Sequence, residues 1–420
     1  MKKQILLALT FVAIAFCLPY MSAAQSTITQ DGKVVIGNID TINSEILGET
    51  RTVWIHVPES TAMSSSATYP VVYLLDGSGH FPSVSGMIRQ LSTTNGNMIC
   101  PEMIVVGILN TNRTKDLTPT VVESIFGNPA PQNGTGGGEK FTDFIEKELM
   151  PYIKAHYPAN DYTTFIGHSL GGLMVAHTLL ERPGLFDNYI ALDPSLWWDG
   201  QIELKRAQKA LAEGNFNGKS LYLAVANTLP EGMSLEAARK DTSAMVKHIQ
   251  SIMEFAELAE ANDQNGLNFA WKYYPEDGHG SVPLIGEYDA IRFLFPWYEP
   301  KLAPFFDPNS TKTSEELVQT LTSHFENVSN KMGFTVLPNE GMINSMGYGF
   351  MGNNKPGHAR ALFELNIRNY PESANTYDSM GDFYLSQSNM EKAAEYFSKA
   401  IEVGDYAPSK EKLAKLKETK

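Results

Sequence analysis

The stretch TFIGHSLGGLM, residues 164–174, decides the fold of this chain. An apolar run ends at Gly167, a serine stands at the centre of GHSLG, and a second apolar run of helical character follows. The pattern GxSxG between a strand and a helix is typical of a nucleophile elbow, in which a sharp turn lifts a serine hydroxyl clear of a sheet. The pattern therefore predicts that Ser169 is a nucleophile, and the alternative is a serine that only occupies a turn.

Strands and helices alternate on both sides of this motif, from Lys33 to Phe295. Several predicted strands are unbroken apolar runs, which is typical of strands buried on both faces. Helical periodicity appears over residues 141–157 and 237–258. The alternation predicts an α/β domain with a mostly parallel sheet. The predicted strands are 52–57, 71–75, 103–109, 163–167, 189–193, 221–226 and 269–274.

The chain opens with MKKQILLALTFVAIAFCLPYMSAAQ, which has two lysines, an apolar run and then small residues. Ser22 and Ala24 occupy the minus-three and minus-one positions of a signal-peptidase site, so we expect cleavage after Ala24 and a protein exported to the periplasm or the medium. A retained membrane anchor is the alternative. The net charge of −14 becomes −16 once Lys2 and Lys3 are removed, which argues against nucleic acid and anionic membranes as partners.

The character of the sequence changes after Trp297. Three prolines interrupt the periodicity, and Thr313 with Glu316 forms a capping box that predicts a helix over residues 314–331. We therefore divide the chain into a signal peptide (1–24), the α/β domain (25–299), a linker with one helix (300–338) and a small all-α domain (339–420).

The all-α domain contains a repeat of 34 residues, the period of tetratricopeptide units. Two units, 339–372 and 373–404, are fewer than the three or so that an independent solenoid needs. We expect them to pack against the helix over 314–331 or the α/β domain; a groove that binds a protein partner is the alternative. The recurring pairs are Met346 and Met380, Gly347 and Gly381, Phe350 and Tyr384, Ala359 and Ala393, and Phe363 and Phe397.

A serine nucleophile needs a base and an acid that orients the base. His279, in the loop EDGHGSVPL after the last predicted strand, fits the base because this fold orders its triad serine, acid, histidine. Four acids are candidates: Asp193, Glu231, Asp241 and Asp277. A position after the strand 221–226 favours Glu231 or Asp241, and we choose Asp241.

The oxyanion of the reaction needs two backbone donors. The amide after the serine, that of Leu170, is one, and the early turn DGSG offers the amide of Ser78 as the second. For substrate binding, Trp197 and Trp198 either wall the pocket or belong to the core, and Arg113 either meets a substrate carboxylate or lies in solvent.

The segments LLDG, GHSLGG, ALDPSLWWDG and EDGHGSVPL taken together resemble the putative esterase family over residues 36–297. That family includes enterochelin-type siderophore esterases, feruloyl esterases, S-formylglutathione hydrolase and the mycolyltransferases. The resemblance implies an α/β-hydrolase fold with Ser169 as nucleophile, His279 as base and Leu170 in the oxyanion hole. In some members the acid stands at the entrance to the helix after the seventh strand, which is similar to the setting of Asp241, whereas some siderophore esterases use a serine and histidine without a clear acid.

The resemblance leads us to expect a serine esterase that forms an acyl-enzyme on Ser169 and acts on a small-molecule ester: a siderophore, a feruloyl-sugar or a simple acyl ester. The tetratricopeptide-like tail is similar to that of exported esterases of Gram-negative bacteria. An acyltransferase on the same scaffold, or an inactive exported scaffold protein that uses its repeats, are the rival hypotheses. The sequence shows no cysteine and histidine cluster with metal-ligand spacing and no phosphate loop, so we expect neither a metal nor a cofactor.

Overall fold

An eight-stranded sheet forms the centre of the α/β part of the molecule. We describe it from a computed structural model that covers residues 29–30, 32–62, 67–125, 127–132 and 134–418, so the expected signal peptide, 1–24, lies outside the described residues. The seven predicted strands are all present, preceded by one that the sequence did not predict. The strands are β1 (Asn38–Ser44), β2 (Glu49–His56), β3 (Tyr69–Leu74), β4 (Ile104–Ile108), β5 (Ala159–His168), β6 (Asn188–Leu192), β7 (Ser220–Ala226) and β8 (Asn268–Tyr274).

The sheet has the order β8-β7-β6-β5-β3-β4-β2-β1. The pairs β1–β2 and β2–β4 are antiparallel and every other pair is parallel, which confirms the prediction of a mostly parallel sheet. The strand order reverses between β5 and β3, and ligand sites of open α/β sheets form where it reverses, outside the carboxyl ends of the strands.

Side chains of one strand alternate between the two faces of this sheet, so both faces carry apolar side chains. Helices cover both faces. In β3, Val71 and Tyr73 belong to one apolar cluster and Val72 and Leu74 to the other. The helices of the α/β part are α1 (Gly77–Ser92), α2 (Arg113–Asp116), α3 (Gly138–Phe144), α4 (Met150–His156), α5 (Leu170–Glu181), α6 (Trp198–Glu213), α7 (Leu235–Lys240), α8 (Lys247–Ala261) and α9 (Val282–Leu294).

Two predicted helices differ from the observed ones. The helix expected over 141–157 begins at Gly138 and passes through a π-helical turn, Ile145–Leu149, between α3 and α4. The single helix expected over 237–258 is wrong, because the chain forms α7 and α8 with a break between them. Asp241 ends α7, and its Oδ1 accepts the Ser243 amide at 2.6 Å. A short polar side chain that bonds the backbone two residues on competes with helix continuation.

In the C-terminal part, all the regular secondary structure of the described residues is helical. Each predicted repeat is a helical hairpin, and a Cβ on Gly347 or on Gly381 would overlap the ring of Phe363 or of Phe397. The 34-residue period therefore repeats one close glycine–phenylalanine contact in both hairpins. The helices are α10 (Ala303–Phe306), α11 (Ser314–Met332), α12 (Glu340–Gly352), α13 (Pro356–Asn369), α14 (Ala374–Ser386), α15 (Met390–Gly404) and α16 (Ala407–Glu418).

Helix α11 connects the two parts of the molecule. It begins with the predicted capping box of Thr313 and Glu316. Val328 belongs to the apolar cluster under α1 and α9, whereas Leu321 and Phe325 belong to the cluster of the C-terminal helices. The two parts thus share this helix. Within the described residues, every helix is too short or too polar to cross a lipid bilayer.

Candidate active site

Ser169 lies at the turn between β5 and α5, as the GHSLG pattern predicts. Its φ and ψ are 59° and −114°, a strained backbone that is held by the hydrogen bond from its amide to Leu192 O at 3.0 Å. A Cβ on Gly167 would overlap the backbone of Gly171. The two glycines of the motif are required because the end of β5 and the first turn of α5 approach so closely.

His279 contacts this serine from the loop that follows β8. Its Nε2 lies 3.1 Å from Ser169 Oγ, within hydrogen-bond reach. Asp277 shapes the loop, since its Oδ1 accepts from Ser281 Oγ at 2.9 Å. A second hydroxyl, Ser195 Oγ, lies 3.3 Å from Ser169 Oγ. The two residues that sequence predicted as nucleophile and base are therefore neighbours in space.

Asp193, at the end of β6, holds the other side of the histidine ring. Its Oδ2 lies 2.5 Å from His279 Nδ1 and 2.8 Å from His248 Nε2, and its Oδ1 accepts the Ala226 amide at 2.9 Å. With a proton on His279 Nδ1, the Nε2 atom is free to accept the serine proton. The side chain of Asp193 is fully buried. Burial alone would raise its pKa, but hydrogen bonds from His248, His279 and the Ala226 amide hold that pKa well below its usual range.

Asp241, the acid that the sequence argument chose, does not reach His279. It ends α7 and lies partly exposed, and hydrogen bonds from the side chain and the amide of Ser243 lower its pKa. The choice of Asp241 is corrected to Asp193, which was among the candidates, because the break after α7 carries residue 241 away from the site. Glu231 is exposed, and Asp277 is used within its own loop.

The two predicted oxyanion donors lie at neighbouring strand ends. Leu170 opens α5 and Ser78 is in the first turn of α1, where amides have no partner within the helix. β3, which leads to Ser78, pairs with β5, which leads to Ser169. Both amides therefore emerge at the same edge of the sheet.

Arg113 ties these two strand ends together. Its Nε and Nη2 donate to the two carboxylate oxygens of Asp76 at 2.7 and 2.9 Å, and Nη2 also lies 3.3 Å from His168 O. Burial alone would raise the pKa of Asp76, but the Arg113 guanidinium and Asn110 lower it. The sequence analysis offered two surroundings for Arg113, a substrate carboxylate or solvent, and in the structure its guanidinium binds Asp76 instead. The backbone of Asp76 has a φ of 53° at the start of α1.

The two tryptophans have different surroundings. Trp198 is 1% exposed, and its Nε1 donates to Thr120 Oγ1 at 3.1 Å, so it belongs to the core and does not wall a pocket. Trp197 is half-buried and packs against the same cluster two residues after Ser195. Of the pair, Trp197 is the one that is not fully buried.

Further imidazoles surround His279. The ring of His168 lies 4.5 Å from that of His279 and 5.9 Å from that of His80, measured between centroids. Burial, together with the neighbouring His279 and His80, lowers the pKa of His168 to about 4. The Glu287 carboxylate, whose Oε1 lies 3.3 Å from His80 Nδ1, raises the pKa of His80, while burial raises that of Glu287. His168 is thus held neutral beside His279.

Sequence reasoning missed His248 because it lies in the first turn of a helix whose start the sequence did not predict. The signal for Asp193 was its place directly at the end of the strand after α5. Among the described residues, Asp193, His248 and His279 are also the one group of histidine, cysteine or carboxylate ligands close enough together to hold a metal ion.

With this geometry in view, the chain matches the family described as "Putative esterase" over residues 44–269. It belongs to that family. The esterase is similar to the ferri-bacillibactin esterase BesA of Bacillus subtilis, with 27% identity over 258 residues, 58% of this chain and 85% of BesA. The protein is therefore a hydrolase that acts on ester bonds.

Two solved structures extend the comparison. An IroE-like serine hydrolase from Shewanella oneidensis is 33% identical and superposes with a TM-score of 0.66, over 79% of this esterase and 99% of that chain. An uncharacterised protein from Capnocytophaga ochracea is 18% identical, with a TM-score of 0.55 over 90% of the esterase and 99% of that chain. The first likeness supports the α/β-hydrolase fold of this family, and the second concerns the fold alone.

Proposed function

We propose that this esterase is a serine hydrolase that cleaves a carboxylic ester through an acyl-enzyme on Ser169. The observation that carries the proposal is the continuous contact from Ser169 Oγ to His279 and on to the buried Asp193 carboxylate. A nucleophile, a base within hydrogen-bond reach and a group that orients the base are the parts that acyl transfer requires.

In the first half of the reaction, His279 Nε2 takes the hydroxyl proton as Ser169 Oγ attacks the ester carbonyl. Asp193 stabilises the imidazolium that forms, and the amides of Leu170 and Ser78 stabilise the oxyanion. His279 then gives the proton to the leaving alcohol. In the second half, His279 activates a water molecule that releases the acid and restores the serine.

The substrate that we favour is a siderophore-type small-molecule ester. The likeness to a ferri-bacillibactin esterase over 85% of that protein, and to an IroE-like serine hydrolase, supports this choice. Feruloyl-sugar esters and simple acyl esters remain candidate substrates on the same chemistry. An acyltransferase would use the same acyl-enzyme but pass the acyl group to an added hydroxyl acceptor, so product analysis separates the two activities.

Export and the role of the tail are part of the proposal. The lysine, apolar and small-residue pattern of residues 1–24 supports cleavage after Ala24 and a periplasmic or secreted enzyme. The repeated glycine–phenylalanine contact supports two tetratricopeptide-type units in α12–α15. Since α11 shares its apolar faces with both parts, we assign these units a packing role; a protein partner on them is the alternative.

The experiment is hydrolysis of short-chain p-nitrophenyl esters by the chain that begins at Gln25, compared with Ser169→Ala, with Ser195→Ala as the matched control. Loss of activity and of fluorophosphonate labelling in Ser169→Ala, with activity retained in Ser195→Ala, is the expected result. Siderophore and feruloyl-sugar esters are then assayed in parallel. Inactivity of the native chain together with no labelling would favour the inactive-scaffold hypothesis.

A further inference from the structure

Three metal-ligating atoms converge on one side of the base. Asp193 comes from the end of β6, His248 from the first turn of α8 and His279 from the loop after β8. Their atoms Oδ2, Nε2 and Nδ1 all lie within 4.8 Å of one another. These residues are far apart in the sequence, so the cluster does not show as a metal-binding motif of closely spaced ligands.

We propose that Asp193, His248 and His279 form an inhibitory site for a zinc-type divalent cation. Two imidazoles and one carboxylate are a donor set that suits Zn²⁺, with a fourth position left for water. Hard cations such as Mg²⁺ prefer six oxygen ligands and fit this set poorly. The site is distinct from a resident cofactor because its ligands include the base of the proposed reaction.

The two contacts to the Asp193 oxygen need only a small adjustment to admit the ion. The shared Asp193 oxygen lies 2.5 Å from His279 Nδ1 and 2.8 Å from His248 Nε2, with a proton in each gap. In a tetrahedral zinc site each ligand atom lies about 2.0–2.2 Å from the ion, so two ligand atoms are roughly 3.4 Å from each other. Each contact therefore opens by less than about 1 Å as the cation takes the place of the two protons.

Binding reverses the tautomer of both rings without release of a proton. The proton on His279 Nδ1 moves to Nε2, and the proton on His248 Nε2 moves to Nδ1, as the freed nitrogens bind the ion. His279 then presents an N–H to Ser169 Oγ instead of a lone pair. It can no longer accept the serine proton, so the acyl transfer stops at its first step.

The ion reaches the site from the histidine side. The His279 side chain is 42% exposed and that of His248 is 19% exposed, whereas Asp193 is fully buried. Accessible imidazole nitrogens are what an incoming zinc ion requires.

The test uses the full chain and two readouts. Zn²⁺ inhibition of p-nitrophenyl ester hydrolysis is measured for the native enzyme and for His248→Gln, each relative to its own uninhibited rate. Glutamine can still donate to Asp193 but is a poor zinc ligand, so we expect the inhibitory concentration to rise at least about 10-fold. His156→Gln, on an exposed histidine of α4, is the matched control and should keep the native value. Excess EDTA should restore activity.

The inhibition rests on the proposed function, but the binding does not. Zinc affinity is therefore also measured by competition with a chromogenic zinc chelator on the Ser169→Ala protein, with and without His248→Gln. A tight site of one equivalent that His248→Gln weakens supports the proposal whether or not the native chain hydrolyses esters. The proposal would be overturned if His248→Gln changed neither the inhibition by Zn²⁺ nor the affinity for it. Inhibition by Mg²⁺ as strong as that by Zn²⁺ would also overturn the proposal.

Discussion

The carboxylate of Asp193 accepts hydrogen bonds on both oxygens, and at the scale of single residues it determines which nitrogen of His279 carries the proton. In Asp193→Asn the amide group can donate to His279 Nδ1, which would leave the ring proton on Nε2, facing Ser169. We expect kcat to fall about 10³–10⁴-fold, as in other triads with this change. The measurement is steady-state hydrolysis of a p-nitrophenyl ester.

Asp241→Asn is the control for this variant, because that side chain bonds only its own turn. It should retain activity within about twofold, since surface substitutions away from special contacts have small effects. Comparable loss in both variants, or near-native kcat in Asp193→Asn, would contradict the assignment of the acid.

The lowered pKa of His168 predicts that the stability of the folded protein depends on pH. Its pKa in the folded state is about 4, lowered chiefly by burial from the ordinary 6.5. As pH falls, the unfolded chain therefore takes up this proton first. The contribution of this lowered pKa to the free energy of unfolding is fully present above about pH 6.5. It is lost as the pH falls towards 4, and the loss is about 3 kcal/mol in total.

His168→Gln removes this titration. The melting temperature of the native protein should fall more steeply between pH 7 and pH 4.5 than that of the variant, while the exposed-site variant His156→Gln should keep the native slope. Parallel pH profiles for the native protein and His168→Gln would show that burial of this ring does not govern acid stability.

At the scale of elements, Arg113 joins α2 to the turn before α1 and to the end of β5. Lysine presents a point charge and cannot reproduce the bidentate contact with Asp76. In Arg113→Lys we expect kcat to fall about 10- to 100-fold with little change in KM, because a misplaced oxyanion donor weakens the transition state and not substrate binding.

Arg89→Lys, which affects an arginine of α1 with one ion pair to Glu59, is the matched control and should leave kcat unchanged. The kinetics of a neutral and of an anionic ester separate the two roles of Arg113. A rise in KM confined to the anionic ester, with kcat intact, would assign Arg113 to a substrate carboxylate.

Local signals in the sequence were sufficient for the elements that bear the proposed nucleophile and the proposed base. GHSLG requires its glycines for a close approach of β5 and α5, and His279 follows the last strand. The acid could not be chosen in this way, because Asp193 and Asp241 both follow strands. Only the tertiary path decides between them: Asp193 turns with φ 41° at a buried strand end, whereas the break after α7 leads Asp241 away.

The same limit explains His248 and Trp198. A histidine in a helix carries no sign of its partner until that helix is placed against the sheet, and two adjacent tryptophans do not reveal which ring is buried. The 34-residue repeat, by contrast, was predicted from sequence because each glycine has its phenylalanine at the same separation. What the sequence lacked was the assembly of distant segments at one edge of the sheet.

At the scale of the whole molecule, α11 belongs to two apolar clusters. Val328 packs under α1 and α9, and Leu321 packs among the C-terminal helices. A shared helix couples the two parts, so we expect calorimetry to show one unfolding transition for the native protein. Val328→Asp buries an unpaired charge on the α/β side alone and should split the transition in two, with the C-terminal helices melting first.

Asn327→Asp introduces the same charge at an exposed position of α11 and should keep one transition near the native melting temperature. The hydrogen bonds described for Ser169, His279 and Asp193 do not involve α11. Esterase activity at 25 °C should therefore persist in Val328→Asp as long as the α/β part stays folded. Two transitions in the native protein would mean that the parts unfold independently. An unchanged single transition in Val328→Asp would mean that this face of α11 contributes little to holding them together.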